Sequence, residues 1–318
     1  MELNQLRYFV AVAETDNFTR AAERSHVTQP SLSQQIMNLE CEVGHKLFHR
    51  LGRRTKLTEA GATFLERARR VLFEIENATK ELSDHPGLAR RIQVGAIQTV
   101  MPYLITPLIA HCREVLPTLS IDAREDFRGN LVRSVLEGDL DLAVLSLPIK
   151  EHRVSIEPLL SESLLLVVGK AHPFATRTEI NIGNLADETF VTLGSSSALA
   201  AQIQTFFGDL DFQPRIGYRC AQVATLKLFV SSGLGIAILP ELARVPDDRD
   251  ALTYLRLTGS APTRNLVIIR HLQRYQSRGA EKFLKVLRDH VRKRPGAPVS
   301  AGPAGSRGRS EAVKPECL

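Results

Sequence analysis

With 318 residues, 43% of them hydrophobic and 24% charged, the chain has an ordinary globular composition and enough length for two or three cored units. That composition excludes collagen-like, disulfide-scaffold and largely disordered chains, and no apolar run is long enough to span a membrane. The formal charge of +6 does not by itself imply nucleic acid, because residues 1–90 hold 13 basic against 12 acidic side chains, residues 91–290 hold 22 against 21, and residues 291–318 hold 6 against 2. Met1–Thr15 then reads as a first helix, with Leu3, Leu6, Val10 and Ala13 on its apolar face.

A second helix follows over Phe18–Ser25, where Phe18, Ala21 and Ala22 form a stripe small enough for another helix to approach closely. His26 and Val27 interrupt the pattern. Thr28 is placed to cap a third helix, and Pro30 falls in the first turn, where no intrahelical N–H bond is required. Leu32, Ile36, Leu39 and Val43 form its buried stripe. The polar positions Thr28, Gln29, Pro30, Ser31, Ser33, Gln34 and Asn38 are left as candidate contacts to base edges and phosphates. His45–Leu57 then carries Lys46, Arg50, Arg53, Arg54 and Lys56 with no acidic residue, and Gly52 marks a turn between two strand-like runs. The reading is a wing whose cations, Arg50, Arg53, Arg54 and Lys56 above all, lie along double-stranded DNA.

Residues from Leu3 to about Gly61, including AAERSHVTQPSLSQQIMNLECEVGHKLFHRLGRRTKLTEAG, resemble the winged helix-turn-helix of LysR-type transcriptional regulators. The resemblance implies that Gln29, Pro30, Ser33 and Gln34 sit where the family's recognition helix meets DNA, and Arg53 where its wing does. The family often has a basic residue at the position of Gln34, and an amide there can instead pair with adenine. The expected head is an all-α winged helix-turn-helix domain over residues 1–57.

Thr58 caps a long helix to Ser83 with Phe64, Ala68, Val71, Ile75, Ala78 and Leu82 at heptad spacing. Such a seam asks for a partner helix. A dimer, or a dimer of dimers, is expected, with two heads addressing an inverted repeat. His85, Pro86 and Gly87 mark a hinge, so residues 58–87 form the linker.

Beyond the hinge, apolar runs alternate with helical stretches. Strands are expected at Ile92–Ile97, at LSIDARED, from Asp139, from Ser163, at ETFVTL, over Pro214–Arg219, at GLGIAILP and from Asn265. Helices are expected through Leu104 and Leu108, and over Leu131–Glu137, Ala198–Phe207, Val223–Ser231 and Ala280–Arg292. This predicts an α/β effector domain over residues 88–293 with a mostly parallel sheet. Its two lobes would comprise about 88–160 with 265–293, and about 161–264, joined by crossings near residues 160 and 262. The region is also similar to the family's periplasmic-binding-protein-like effector domain, which binds a small-molecule effector between its lobes. Residues 294–318, rich in Gly, Ala, Pro and Ser, are expected to be a disordered tail.

No catalytic constellation is visible. Four dispersed cysteines, Cys41, Cys112, Cys220 and Cys317, offer no metal-ligand spacing, so reduced thiols, no metal and no cofactor are expected. The N-terminal stretch lacks signal-peptide order, which predicts a cytoplasmic protein with no membrane partner. Ser195, Ser196 and Ser197 open a helix, where they suit either an anion or plain capping. The effector half is most similar to the family's peroxide-sensing branch, but Ala198 and Phe207 stand at the positions of that branch's redox cysteines. By the same resemblance Gln98 and Thr99 fall where effectors are contacted, and Arg128 lies at the pocket edge. The hypothesis is a carboxylate held by Arg128 with Gln98, Thr99, Ser195, Ser196 and Ser197. The alternative is an Arg128 paired with Glu125 or Asp126. The function expected is an effector-switched, DNA-binding transcriptional regulator, with RNA polymerase as a further candidate partner. An effector-independent architectural DNA binder, or an enzyme on a two-lobed fold, are the rivals.

Overall fold

The computed structural model describes residues 1–51, 54–83, 90–259 and 261–294. Its contacts divide the chain into two compact units, Met1–Arg90 with Gln273–Arg278, and Arg91–Leu272 with the chain after Arg278.

In the first unit, α1 (Leu3–Thr15), α2 (Phe18–Arg24) and α3 (Gln29–Val43) are followed by β1 (Phe48–Leu51), β2 (Arg54–Leu57) and the long α4 (Glu59–Ser83). Local chemistry sets the boundaries. The Asn17 side chain accepts from the backbone N–H groups of Thr19 and Arg20, and Thr28 accepts from that of Ser31, so both short helices begin on capped N–H groups. Gly44, at φ 73°, ends α3 in the left-handed conformation that favours glycine. Thr58 Oγ1 accepts from Gly61 N–H at 2.9 Å and donates to the Lys46 carbonyl at 2.7 Å, so the cap of α4 also anchors the start of the wing. A Cβ at Gly61 would collide with the Leu47 carbonyl, which is why the chain can pass so close there.

Phe9, Val12, Leu32, Ile36, Leu39 and Leu47 are fully buried at the centre of this unit. Phe9 packs its ring 5.2 Å from both Phe48 and Phe64. Two expectations are corrected here. The centre of the α1 face is Phe9 and Val12, while Val10 and Ala13 are only half-buried. The head is also not all-α: β1 and β2 pair antiparallel in the register Phe48↔Leu57 to Leu51↔Arg54.

The second unit runs β3 (Arg90–Ala96), α5 (Thr106–Val115), β4 (Leu119–Glu125), α6 (Arg128–Glu137), β5 (Leu142–Ser146), β6 (Val154–Gly169), β7 (Glu179–Asn181), β8 (Thr189–Leu193), α7 (Ala198–Asp209), β9 (Arg215–Cys220), α8 (Val223–Ser231), β10 (Ala237–Pro240), β11 (Leu252–Thr258), β12 (Thr263–His271) and α9 (Arg278–Arg292). The main sheet has the order β4-β3-β5-β12-β6-β11-β7, with β10 also on β6. A smaller sheet joins β8 to β9. The long β6 is shared: Val154–Ser163 pair with β12, and Leu164–Gly169 with β10 and β11. One core gathers Ile92, Leu104, Leu131, Val144, Ile268 and Phe283. The other gathers Leu166, Phe190, Phe207, Leu226, Ile238 and Leu255.

The sheet is mixed rather than mostly parallel. β3 with β5 and β8 with β9 are parallel, but β12 runs antiparallel to both β5 and β6. The returning chain at β12 lies back along β6, and antiparallel neighbours need no crossover helix. The hinge residues His85, Pro86 and Gly87 and the tail from Pro295 lie outside the described residues.

Candidate nucleic-acid interface and effector site

Along α3, the apolar stripe faces the core and leaves Thr28, Gln29, Pro30, Ser31, Gln34 and Asn38 exposed, with Ser33 half-buried. Gln34 Nε2 donates to Asn38 Oδ1 at 3.0 Å, one helical turn apart. The two amides therefore present one linked polar edge. In the wing, Lys56 is exposed on β2. Arg50 and Arg54 lie within β1 and β2, but their side chains, like Arg53 altogether, lie outside the described residues.

Glu40 was not among the expected site residues, yet it joins these two parts. It lies on the apolar side of α3, four residues after Ile36, and is only 5% exposed. Its Oε1 accepts from the backbone N–H groups of Leu47 at 2.8 Å and Phe48 at 3.2 Å, and Oε2 accepts from Lys46 Nζ at 3.0 Å. A charge at a stripe position was the available signal, since it is buried only where donors meet it. Replacing Glu40 by alanine strands two backbone donors at the root of the wing and is expected to destabilise the protein by about 1–3 kcal/mol. Chemical denaturation of the full chain reads this out, and an unchanged midpoint would refute the role.

In the second unit, Gln98 and Thr99 follow the carboxyl end of β3, while Ser146 closes the adjacent parallel β5. Ligands of open α/β sheets gather beyond such strand ends. Thr99 is buried, and its hydroxyl accepts from Arg264 Nη1 at 2.6 Å while its carbonyl accepts from Nη2 at 3.2 Å. Arg264 Nε in turn donates to Glu162 Oε1 at 2.8 Å, and the other oxygen of Glu162 accepts from the Leu242 N–H at 2.6 Å. Burial pulls the Arg264 guanidinium below its ordinary value against the opposing influence of the Glu162 carboxylate.

Arg128, the first residue of α6, is half-buried. Its Nη2 donates to Ser146 Oγ and its Nη1 to the Pro148 carbonyl, each at 3.2 Å. Its Nε is buried with no hydrogen-bond partner among the described residues. Burial lowers its pKa. The alternative pairing with Glu125 or Asp126 does not form among the described residues. Asp126 instead takes Arg124 at 3.0 Å, Asn130 at 2.7 Å and the Phe127 N–H at 2.8 Å. Burial alone would raise its pKa, but these donors hold Asp126 below the usual carboxylate range. Burial pushes Glu125 up.

The serine run lies beyond the carboxyl end of β8. Ser195 and Ser196 are exposed, and Ser197 is buried at the start of α7 without making a side-chain cap. Plain N-capping therefore does not account for it. No hydrogen bond among the described residues joins the serines to Arg128, but α7 reaches the same strand that holds Thr99. Gln202 Nε2 donates to the Thr263 carbonyl at 2.8 Å, next in the chain to Arg264. Cys112 and Cys220 are buried and raised in pKa by that burial, whereas Cys41 is exposed. Neither buried thiol has the electropositive, accessible setting of a reactive one. Among the described residues, no group of His, Cys, Asp and Glu is arranged to hold a metal, and no helix is long and apolar enough to cross a membrane.

Residues 3–62 match the bacterial regulatory helix-turn-helix protein, lysR family, and residues 85–292 match the LysR substrate binding domain. The DNA-binding transcriptional dual regulator OxyR of Escherichia coli is 34% identical over 273 residues, covering 85% of this chain and 89% of the relative. A probable RuBisCO transcriptional regulator of Trieres chinensis is 32% identical over 295 residues, covering 90% and 96%. Full-length OxyR from Pseudomonas aeruginosa, solved as a cysteine-to-aspartate variant, superposes with a TM-score of 0.71 at 27% identity, covering 96% of this chain and 99% of that one.

Proposed function

Because the chain belongs to the LysR family of transcriptional regulators, and is a regulator rather than an enzyme, we propose that it is a cytoplasmic switch for a small carboxylate. In this reading residues 1–57 form the DNA-binding head, 58–87 the linker, and 88–293 a two-lobed, periplasmic-binding-protein-like effector domain. Thr28, Gln29, Pro30, Ser31, Ser33, Gln34 and Asn38 meet the DNA groove, and Arg50, Arg53, Arg54 and Lys56 meet phosphate and the minor groove. The operator is an inverted repeat bound by a dimer or dimer of dimers, and RNA polymerase is the partner through which binding acts on transcription.

One observation carries the carboxylate: Arg128 is a half-buried cation that, among the described residues, has no ion-pair partner and no acceptor for its buried Nε. A desolvated guanidinium of this kind favours an anionic partner, and charge-assisted hydrogen bonds to a carboxylate are the strong ones. Gln98, Thr99, Ser195, Ser196 and Ser197 complete the proposed site, with the Thr99 hydroxyl still able to donate while it accepts from Arg264. A switch further requires the ligand to prefer one arrangement of subunits, since equal affinity for both shifts nothing.

Thermal unfolding of the full chain against small carboxylates, and against neutral amides of the same shape, tests this. A carboxylate at roughly 100 times its Kd should stabilise by about 2.7 kcal/mol, and Arg128→Ala should remove that shift without changing affinity for operator DNA. A shift that survives Arg128→Ala, or an equal response to the amides, would overturn the assignment.

A further inference from the structure

Within the effector unit, β8, β9 and α7, with Leu226 of α8 and Ile238 of β10, line a cavity of about 440 Å³ that opens to solvent on one side. Close-packed interiors leave few voids larger than a water molecule, and this volume falls in the range of ligand pockets. Its floor is apolar: Phe190, Leu199, Ile203, Phe207 and Phe212 line it, all buried except the half-buried Phe212. The three aromatic rings pack against one another, with centroids 5.4 Å apart for Phe190 and Phe207 and 5.0 Å for Phe207 and Phe212. The exposed lining residues, which mark the open side, are Gly208 and the polar Ser195, Gln204, Gln213 and Arg219. No acidic side chain lines the cavity, and Arg219 has no ion-pair partner among the described residues.

We propose that this cavity is a second ligand site, separate from the one around Arg128, that takes an amphipathic monoanion with its aromatic or alkyl body among Phe190, Phe207 and Phe212 and its anionic head at Arg219. The shape of the polarity decides the class. A neutral apolar molecule would leave the rim cation unused, and a small, fully polar anion would leave the apolar floor uncovered. Burying an alkyl or aromatic body releases water from that floor, while the head stays at an exposed guanidinium and needs little desolvation. Ser195 belongs to the rim, and the cavity wall is α7, whose Gln202 holds the Thr263 carbonyl beside Arg264. Occupancy therefore bears on the same strand that positions Thr99, which gives the second ligand a route to modulate the first.

The test uses the full chain, with decanoate as probe and decan-1-ol as its uncharged counterpart, in titration calorimetry. Wild-type protein should bind decanoate saturably at one site per chain with a negative heat-capacity change, the marker of apolar burial. Arg219→Gln, at an exposed position, should weaken decanoate about tenfold, the effect of one charge-assisted hydrogen bond, and leave decan-1-ol unchanged. Ala200→Phe, which projects a ring from α7 into the cavity, should abolish binding of both while operator affinity is retained. No saturable binding by wild type overturns the proposal, as does decanoate binding that Arg219→Gln leaves intact. Loss of decanoate in Arg128→Ala with Arg219→Gln unaffected would instead place the probe in the site around Arg128, and the second site would fall while the first stood.

Discussion

Arg264→Ala is expected to cost the effector unit about 3–5 kcal/mol, the range for breaking a buried ion pair by removing one partner. Arg264 is 1% exposed and Glu162 is 5% exposed at the side chain, so removing the guanidinium leaves a carboxylate buried without its counter-charge. It also removes the donors held by the hydroxyl and carbonyl of Thr99. A buried pair is itself weak evidence for net stability, because both ions were stripped of water to form it. Replacing both partners, Arg264→Met with Glu162→Leu, should therefore recover much of the loss, although the Leu242 N–H then loses its acceptor. Denaturant titration followed by far-ultraviolet circular dichroism measures each variant. A single mutant within about 1 kcal/mol of wild type, below the range for breaking such pairs, would show that the pair is not the anchor its geometry indicates.

Charge placed on the α4 seam should have the largest effect on DNA binding. Val71, Ile75 and Leu82 are 46%, 38% and 73% exposed in the single chain, whereas Ala68, on the same heptad face, is buried in the head. The outer seam therefore has apolar surface to offer a second helix, and a carboxylate there would meet its symmetry mate. Val71→Asp with Ile75→Asp should leave the chain folded, since neither side chain supports its own core. It should shift sedimentation toward the monomer and weaken a two-half-site operator by 10² or more, because the second head then binds without the benefit of linkage. Unchanged sedimentation and operator affinity would mean that these positions do not hold the subunits together.

The parts of the fold that were legible are those set by neighbours in the chain. Thr28 and Pro30 start α3, Thr58 starts α4, and Val223–Ser231 forms α8 as spacing required, because caps and apolar periodicity act over one or two turns. Leu32, Ile36 and Leu39 could be assigned to the core, and the exposed polar face of α3 to the outside, for the same reason. The dense motif from Leu3 to Gly61 added the family. Strands whose partners are distant were harder to read. The first half of β6 and β11, LTYLRLT, carry strand-like alternation but are not among the expected strands; Pro158 interrupts the former, and pairing with the distant β12 and β6 is what places them in the sheet.

The sequence by itself determined the helix-turn-helix, the α/β character of the effector half and the absence of thiols at Ala198 and Phe207, since each is written in residue type and short spacing. Only the tertiary structure decided which charges are buried and which acids are taken. Arg264 meets Glu162 across 102 residues and Thr99 across 165, Arg124 rather than Arg128 claims Asp126, and Glu40 turns inward because the wing's N–H groups arrive there. A charge's partner depends on which segments the fold brings within about 3 Å, the reach of a hydrogen bond, and no local pattern encodes that distance.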